Sequence, residues 1–90
     1  MLNLQQNQFI RTIYDLNEGE KGKIVQIHAK DTEQRFLGIL GIAVGCDISI
    51  DKVIITPRER IITISNGIIE LTLDKTMYNN IEVEVPLAAG

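Results

Sequence analysis

The run Ile61-Ile62-Thr63-Ile64-Ser65-Asn66-Gly67-Ile68-Ile69-Glu70-Leu71 decides the fold. Asn-Gly suits a two-residue hairpin turn, because both central positions of such a turn need positive φ. Counting outward from it opposes Ser65 to Ile68, Ile64 to Ile69, Thr63 to Glu70 and Ile62 to Leu71. One face then carries Ile62, Ile64, Ile69 and Leu71. The other carries Thr63, Ser65 and Glu70, with Ile61 and Ile68 as apolar exceptions that this register brings diagonally close. Strand side chains alternate with a period of two, so the agreement of both arms on one apolar face supports the register independently of the turn.

Upstream, Asp47 to Ile55 alternates at first, with Ile48 and Ile50 on one face and Ser49 and Asp51 on the other. Lys52 and Val53 break the phase, which predicts a bulge or bend. Pro57 lacks a backbone donor, so Thr56 to Glu59 reads as a loop where the ladder pauses. Further back, the β-branched Ile24, Val25 and Ile27 make Lys23 to His28 a strand. Between these two strands, Asp31 stands three residues before Gln34, the spacing of a capping pair at a helix start. Phe36, Leu37 and Leu40 then form one apolar stripe, and Gly41 follows where a left-handed residue ends a helix, with Ile42 placed to fold back onto Leu37. Downstream of Leu73, Lys75 to Asn80 reads as a short helical turn or loop, and Ile81, Val83 and Val85 alternate with Glu82 and Glu84 as a last strand.

Five short strands with one helix inserted after the first, and no room for parallel crossovers, predict a mainly β protein, a small barrel that limits its exposed edges by near-closure. A ferredoxin-like sheet would need a second full helix, for which Lys75 to Asn80 is too short. The domain spans 13–86. Residues 1–12, polar and rich in Gln and Asn, read as a mobile arm or short helical extension, and 87–90 as a tail.

Composition narrows the function. The chain has 90 residues, 44% hydrophobic and 23% charged, with a net charge of -3, which suits one folded domain. No basic block is present to track phosphates, so nucleic acid is not an expected partner. The apolar stretch from Phe36 to Cys46 carries three glycines and is far shorter than the ~20 residues of a membrane span. With no secretory pattern at the start and one unpaired cysteine, Cys46, the expected location is the cytoplasm.

The order of elements and their punctuation resemble the FeoA family of small SH3-like barrels. The resemblance spans Ile13 to Val85. It rests on Leu16, Gly19, Gly22 and Ile24, on the central run Arg35-Phe36-Leu37-Gly38-Ile39-Leu40-Gly41-Ile42-Ala43-Val44-Gly45, and on Leu71, Leu73, Ile81 and Val83. The family often has proline where Val44 stands, a longer loop at Thr56 to Glu59, and a small residue near Tyr78. The resemblance implies an accessory or regulatory protein of ferrous iron uptake that docks on the cytoplasmic part of the membrane GTPase transporter FeoB. The alternatives are a free-standing relative of the SH3-like domain of DtxR-type metal-dependent regulators and a self-associating, metal-responsive barrel that forms a homodimer.

Chemistry-bearing residues are few. His28 and Cys46 are the soft metal ligands, short of the three or four donors of a protein-built zinc site. They read as a strand-end residue and a small buried hydrophobe, with adventitious or dimer-bridging metal as the alternative. No cofactor is expected, and Fe(II) or another divalent ion finds no supporting ligand spacing. No residue pairs with Cys46 to make a nucleophile, and Gly38, Gly41 and Gly45 do not match a phosphate-binding loop, so the chain is not read as an enzyme. The expected docking surface is the outer side of the helix, Glu33, Arg35 and Ile39, beside the turns at Gly45 and Pro57. Ile61 and Ile68 are a second apolar candidate.

Overall fold

The computed structural model describes residues 8–73, 77 and 80–86. Six strands and one helix follow in order: β1 (Gln8–Thr12), a 3-10 turn (Ile13–Asp15), β2 (Lys21–Ile27), α1 (Asp31–Ile39), β3 (Asp47–Ile55), β4 (Arg60–Ser65), β5 (Glu70–Leu73) and β6 (Ile81–Pro86). They form one antiparallel sheet in the order β1-β6-β2-β3-β4-β5, coiled into an SH3-like barrel that is not fully closed.

The expectation of five strands is corrected by β1. Gln8 to Thr12, assigned from sequence to an arm, pair residue for residue with β6, from Gln8 opposite Pro86 to Thr12 opposite Glu82. The partner lies at the other end of the chain, so no local pattern announces the pairing. Lys75 to Asn80 falls largely outside the described residues, as do residues 1–7 and 87–90.

The strands form where β-branched residues alternate. Ile24, Ile27, Ile48, Ile50, Ile62, Ile64, Ile81, Val83 and Val85 all point inward and are buried, joined by Ile13, Leu16, Leu37, Ile42 and Leu73. No polar or charged side chain is buried among the described residues, and no aromatic ring belongs to this core. The expected bulge is present, since the β3–β4 register shifts between Ile50 and Lys52. Beyond it β3 runs with β4 alone, and from Ile54 opposite Ile61 to Ile55 opposite Arg60, past the last β4–β5 pair, the two strands form a two-stranded ribbon closed at Thr56 to Glu59.

Helix α1 ends as its sequence dictates. Gly41 takes φ +83°, a conformation that disfavours any residue with a Cβ. Ile42 N–H donates to Leu37 O at 2.8 Å and Gly41 N–H to Gly38 O at 3.0 Å, the paired bonds of a Schellman motif. Ile42 and Leu37 are both fully buried. The start of α1 differs from expectation. Lys30 holds the cap position with extended backbone, and its N–H donates to Glu33 Oε1 at 3.4 Å. Asp31 lies inside the first turn, where its charge complements the positive helix end. Gln34 Nε2 donates instead to Ala29 O at 2.9 Å.

The β4–β5 register is also corrected. Ser65 opposes Glu70, Ile64 opposes Leu71, Thr63 opposes Thr72 and Ile62 opposes Leu73. The connection is therefore the four residues Asn66 to Ile69. Only glycines among the described residues have positive φ, Gly67 at +96° being the one in this loop. Asn66 organises it through its side chain, whose Oδ1 accepts from Ile68 N–H at 3.0 Å and Ile69 N–H at 2.9 Å. The slip of two residues preserves parity, so Ile62 and Ile64 stay inside, whereas Ile69 leaves the apolar face and Leu73 takes its place in the core.

Candidate interaction surface

The loop that shifted the register is tied to the helix. Asn66 Nδ2 donates to Leu40 O at 3.1 Å and to Gly41 O at 3.3 Å, satisfying carbonyls that a helix C-terminus leaves without intrahelical partners. One side chain thus folds its own loop and holds that loop against the end of α1. Four apolar residues from the joined segments face solvent there: Phe36 at 56%, Ile39 at 77%, Val44 at 60% and Ile68 at 90% exposure. Phe36 was expected in the inward stripe. With 100° per residue, a nine-residue helix on a small barrel seats one narrow stripe, and here it holds Leu37 fully and Leu40 in part, which turns Phe36 outward.

The sequence-derived surface residues divide into two groups. Arg35 and Ile39 share the outer side of α1 and are exposed, as is Gly45 in the turn leading to β3. Glu33 is exposed too, but on the helical wheel it lies about 160° from Arg35, on the flank of Leu37. Pro57 stands at the far end of β3 from Gly45, and nine strand residues at ~3.3 Å each put roughly 30 Å between them. Helix and ribbon tip are therefore separate surfaces. Ile61 is half-buried on β4 opposite Ile54, while Ile68 lies in the loop past the other end of that strand, so the two are not diagonal neighbours.

The metal-ligating residues are likewise separated. His28, at the end of β2, has its Nε2 against Glu82 Oε2 on β6, with both side chains exposed in part. Cys46 is half-buried beside Ile24, whose N–H donates to Cys46 O at 2.9 Å. His28 follows Ile24 by four residue steps along the chain, about 13 Å. Among the described residues no three His, Cys, Asp or Glu side chains come together.

The sequence pattern of the FeoA domain matches residues 11–85. The chain belongs to the FeoA family. Its fold agrees with that of FeoA from Chlorobium tepidum, determined in solution, at a TM-score of 0.71 with 19% identity over 89% of this chain and 73% of that one. It agrees also with the crystal structure of an iron uptake regulatory protein, FeoA, at a TM-score of 0.67 with 21% identity over 83% of this chain and 94% of that one. At these identities the two structures establish the SH3-like fold. No curated protein matches the chain. Among the described residues of this FeoA chain no helix is long and apolar enough to cross a membrane.

What sequence reasoning missed are Phe36 and Val44 at this surface and, away from it beside Arg60, Tyr14. The available signal was the breadth of the α1 stripe: Phe36, Leu37, Ile39 and Leu40 span about 160° of the helix, wider than the narrow stripe that Leu37 and Leu40 seat against the barrel. With Phe9 and Tyr14, Phe36 makes three aromatic side chains outside the core, a distribution that suits contact surfaces.

Proposed function

We propose that this chain is a non-enzymatic accessory protein of ferrous iron uptake that works in the cytoplasm by docking on the soluble part of FeoB. Membership of the FeoA family supports the iron-uptake setting, and one structural neighbour is itself described as an iron uptake regulatory protein. The observation that carries docking is the gathering of Phe36, Ile39, Val44 and Ile68 around the C-terminal end of α1, held there by the Asn66 bonds. Exposed apolar side chains on a pre-organised platform lose little freedom on association. Arg35 beside them supplies a cation of the kind enriched at binding hot spots.

The test is capture of the purified full chain by the soluble domain of a cognate FeoB, with and without guanine nucleotide. Ile39→Asp and Arg35→Glu should each weaken capture about tenfold or more, the scale of one hot-spot side chain, with the circular dichroism spectrum unchanged. Undiminished capture by both variants would remove α1 from the docking surface. No capture by the parent chain, with a stable dimer in light scattering, would replace the reading with self-association.

A further inference from the structure

The tip of the β3–β4 ribbon is built unlike an ordinary surface loop. Thr56 N–H donates to Glu59 O at 2.9 Å, and Thr56 Oγ1 accepts from Arg58 N–H at 3.2 Å and Glu59 N–H at 3.0 Å while donating to Glu59 O at 3.1 Å. With Pro57 fixing its own φ, the turn is rigid although it projects into solvent. At its base Arg60 is anchored, with Nη2 donating to Leu16 O at 3.1 Å and the guanidinium 5.6 Å from the centroid of the Tyr14 ring. Between these parts lies a groove of about 230 Å3.

The chemistry of the groove is specific. On a chain of net charge -3, its lining carries two cations, Arg58 and Arg60, against one carboxylate, Glu59. Arg58 is exposed and forms no ion pair among the described residues. Beside the cations stand two exposed apolar side chains, the Tyr14 ring and Ile55, the latter 70% accessible. A guanidinium matches a carboxylate with two parallel hydrogen bonds, and Arg and Tyr on a rigid support are the residue types that carry binding energy at interfaces.

We propose that the ribbon tip is a docking site for an acidic, extended peptide segment of a partner protein. A carboxylate of the segment pairs with Arg58, and a neighbouring apolar side chain packs on Ile55 and Tyr14. The charge complementarity fixes the partner's sign, and the site is independent of the α1 surface.

The experiment is an NMR titration of the 15N-labelled full chain with a synthetic peptide alternating Glu and Leu, alongside its Gln and Leu counterpart. Saturating shifts are expected at the amides of Tyr14, Ile55, Arg58 and Arg60. Affinity should fall about tenfold or more for the neutral peptide and for Arg58→Glu, the size of one charge-assisted hydrogen bond, with the rest of the spectrum unchanged. Equal affinity for the neutral peptide, shifts centred elsewhere, or no shifts at millimolar peptide would overturn the proposal. So would a parent chain that light scattering shows to be a dimer with Arg58 protected from solvent, since a second copy would then own the site.

Discussion

Substituting alanine at two glycines separates backbone strain from a tertiary contact. Gly41 and Gly67 both sit at positive φ, +83° and +96°, and an alanine in that region costs about 1–2 kcal/mol. They differ in surroundings. A Cβ at Gly67 meets nothing within 4 Å, whereas one at Gly41 runs into Asn66 Nδ2. To make room the Asn66 amide must withdraw from Leu40 O and Gly41 O, giving up bonds of 3.1 and 3.3 Å, each contributing ~0.5–1.5 kcal/mol. The expected cost is therefore about 1–2 kcal/mol for Gly67→Ala and roughly 2–5 kcal/mol for Gly41→Ala. At about 4–8 °C per kcal/mol for a domain of this size, the two melting temperatures should separate by at least ~4 °C. Urea denaturation followed by circular dichroism, with unchanged m-values, reads both. In an Asn66→Ala background the extra cost of Gly41→Ala should vanish and leave the φ cost alone, because the clash partner is gone. Costs for the two glycines within ~0.5 kcal/mol of each other in the parent chain would refute the Asn66 clamp as a source of stability.

Leu37→Ala, at the single fully buried position of α1, should cost about 2–5 kcal/mol in urea denaturation. Ile68→Ser should leave stability within ~0.5 kcal/mol, since the side chain is almost wholly in solvent. Glu18→Ala should speed hydrogen exchange at the Val53 amide about tenfold, the effect of losing one hydrogen bond to a charged group, because Val53 N–H donates to Glu18 Oε1 at 3.0 Å. Exchange at Ile24 and Ile62 in the core strands should not change.

The elements that sequence reasoning located are those whose cause is local. Alternating isoleucines specify β3 and β4, the phase break at Lys52 specifies the bulge, and Gly41 followed by Ile42 specifies the helix end. Each is written within a few residues of where it acts. The failures share a different origin. β1 depends on β6, more than sixty residues away, and a five-residue strand has too few positions to show a period. The Asn66 loop was misread because Asn-Gly chemistry favours a two-residue turn in isolation, whereas here the amide side chain is claimed by the carbonyls of Leu40 and Gly41. The candidate surface followed the same division. Exposure of Arg35 and Ile39 was legible from helical spacing, but the separation of Gly45 from Pro57 depends on β3 running straight through its bulge to nine residues.

The bond from Glu18 to Val53 bears on strand pairing between copies of this chain. β2 pairs with β3 only from Lys21 opposite Ser49 to Lys23 opposite Asp47, so past the bulge the ribbon has an open flank bearing Ile54 and Ile55. Such flanks recruit strands from other molecules, and identical ribbons stacking edge to edge begin an insoluble assembly. Glu18 occupies the first N–H of that flank and sets a negative charge where an incoming backbone carbonyl would have to land. The carboxylate is placed as a stopper would be. Crowding the protein at high concentration would test it hardest, and a chain without that group would meet its solubility limit first along this flank.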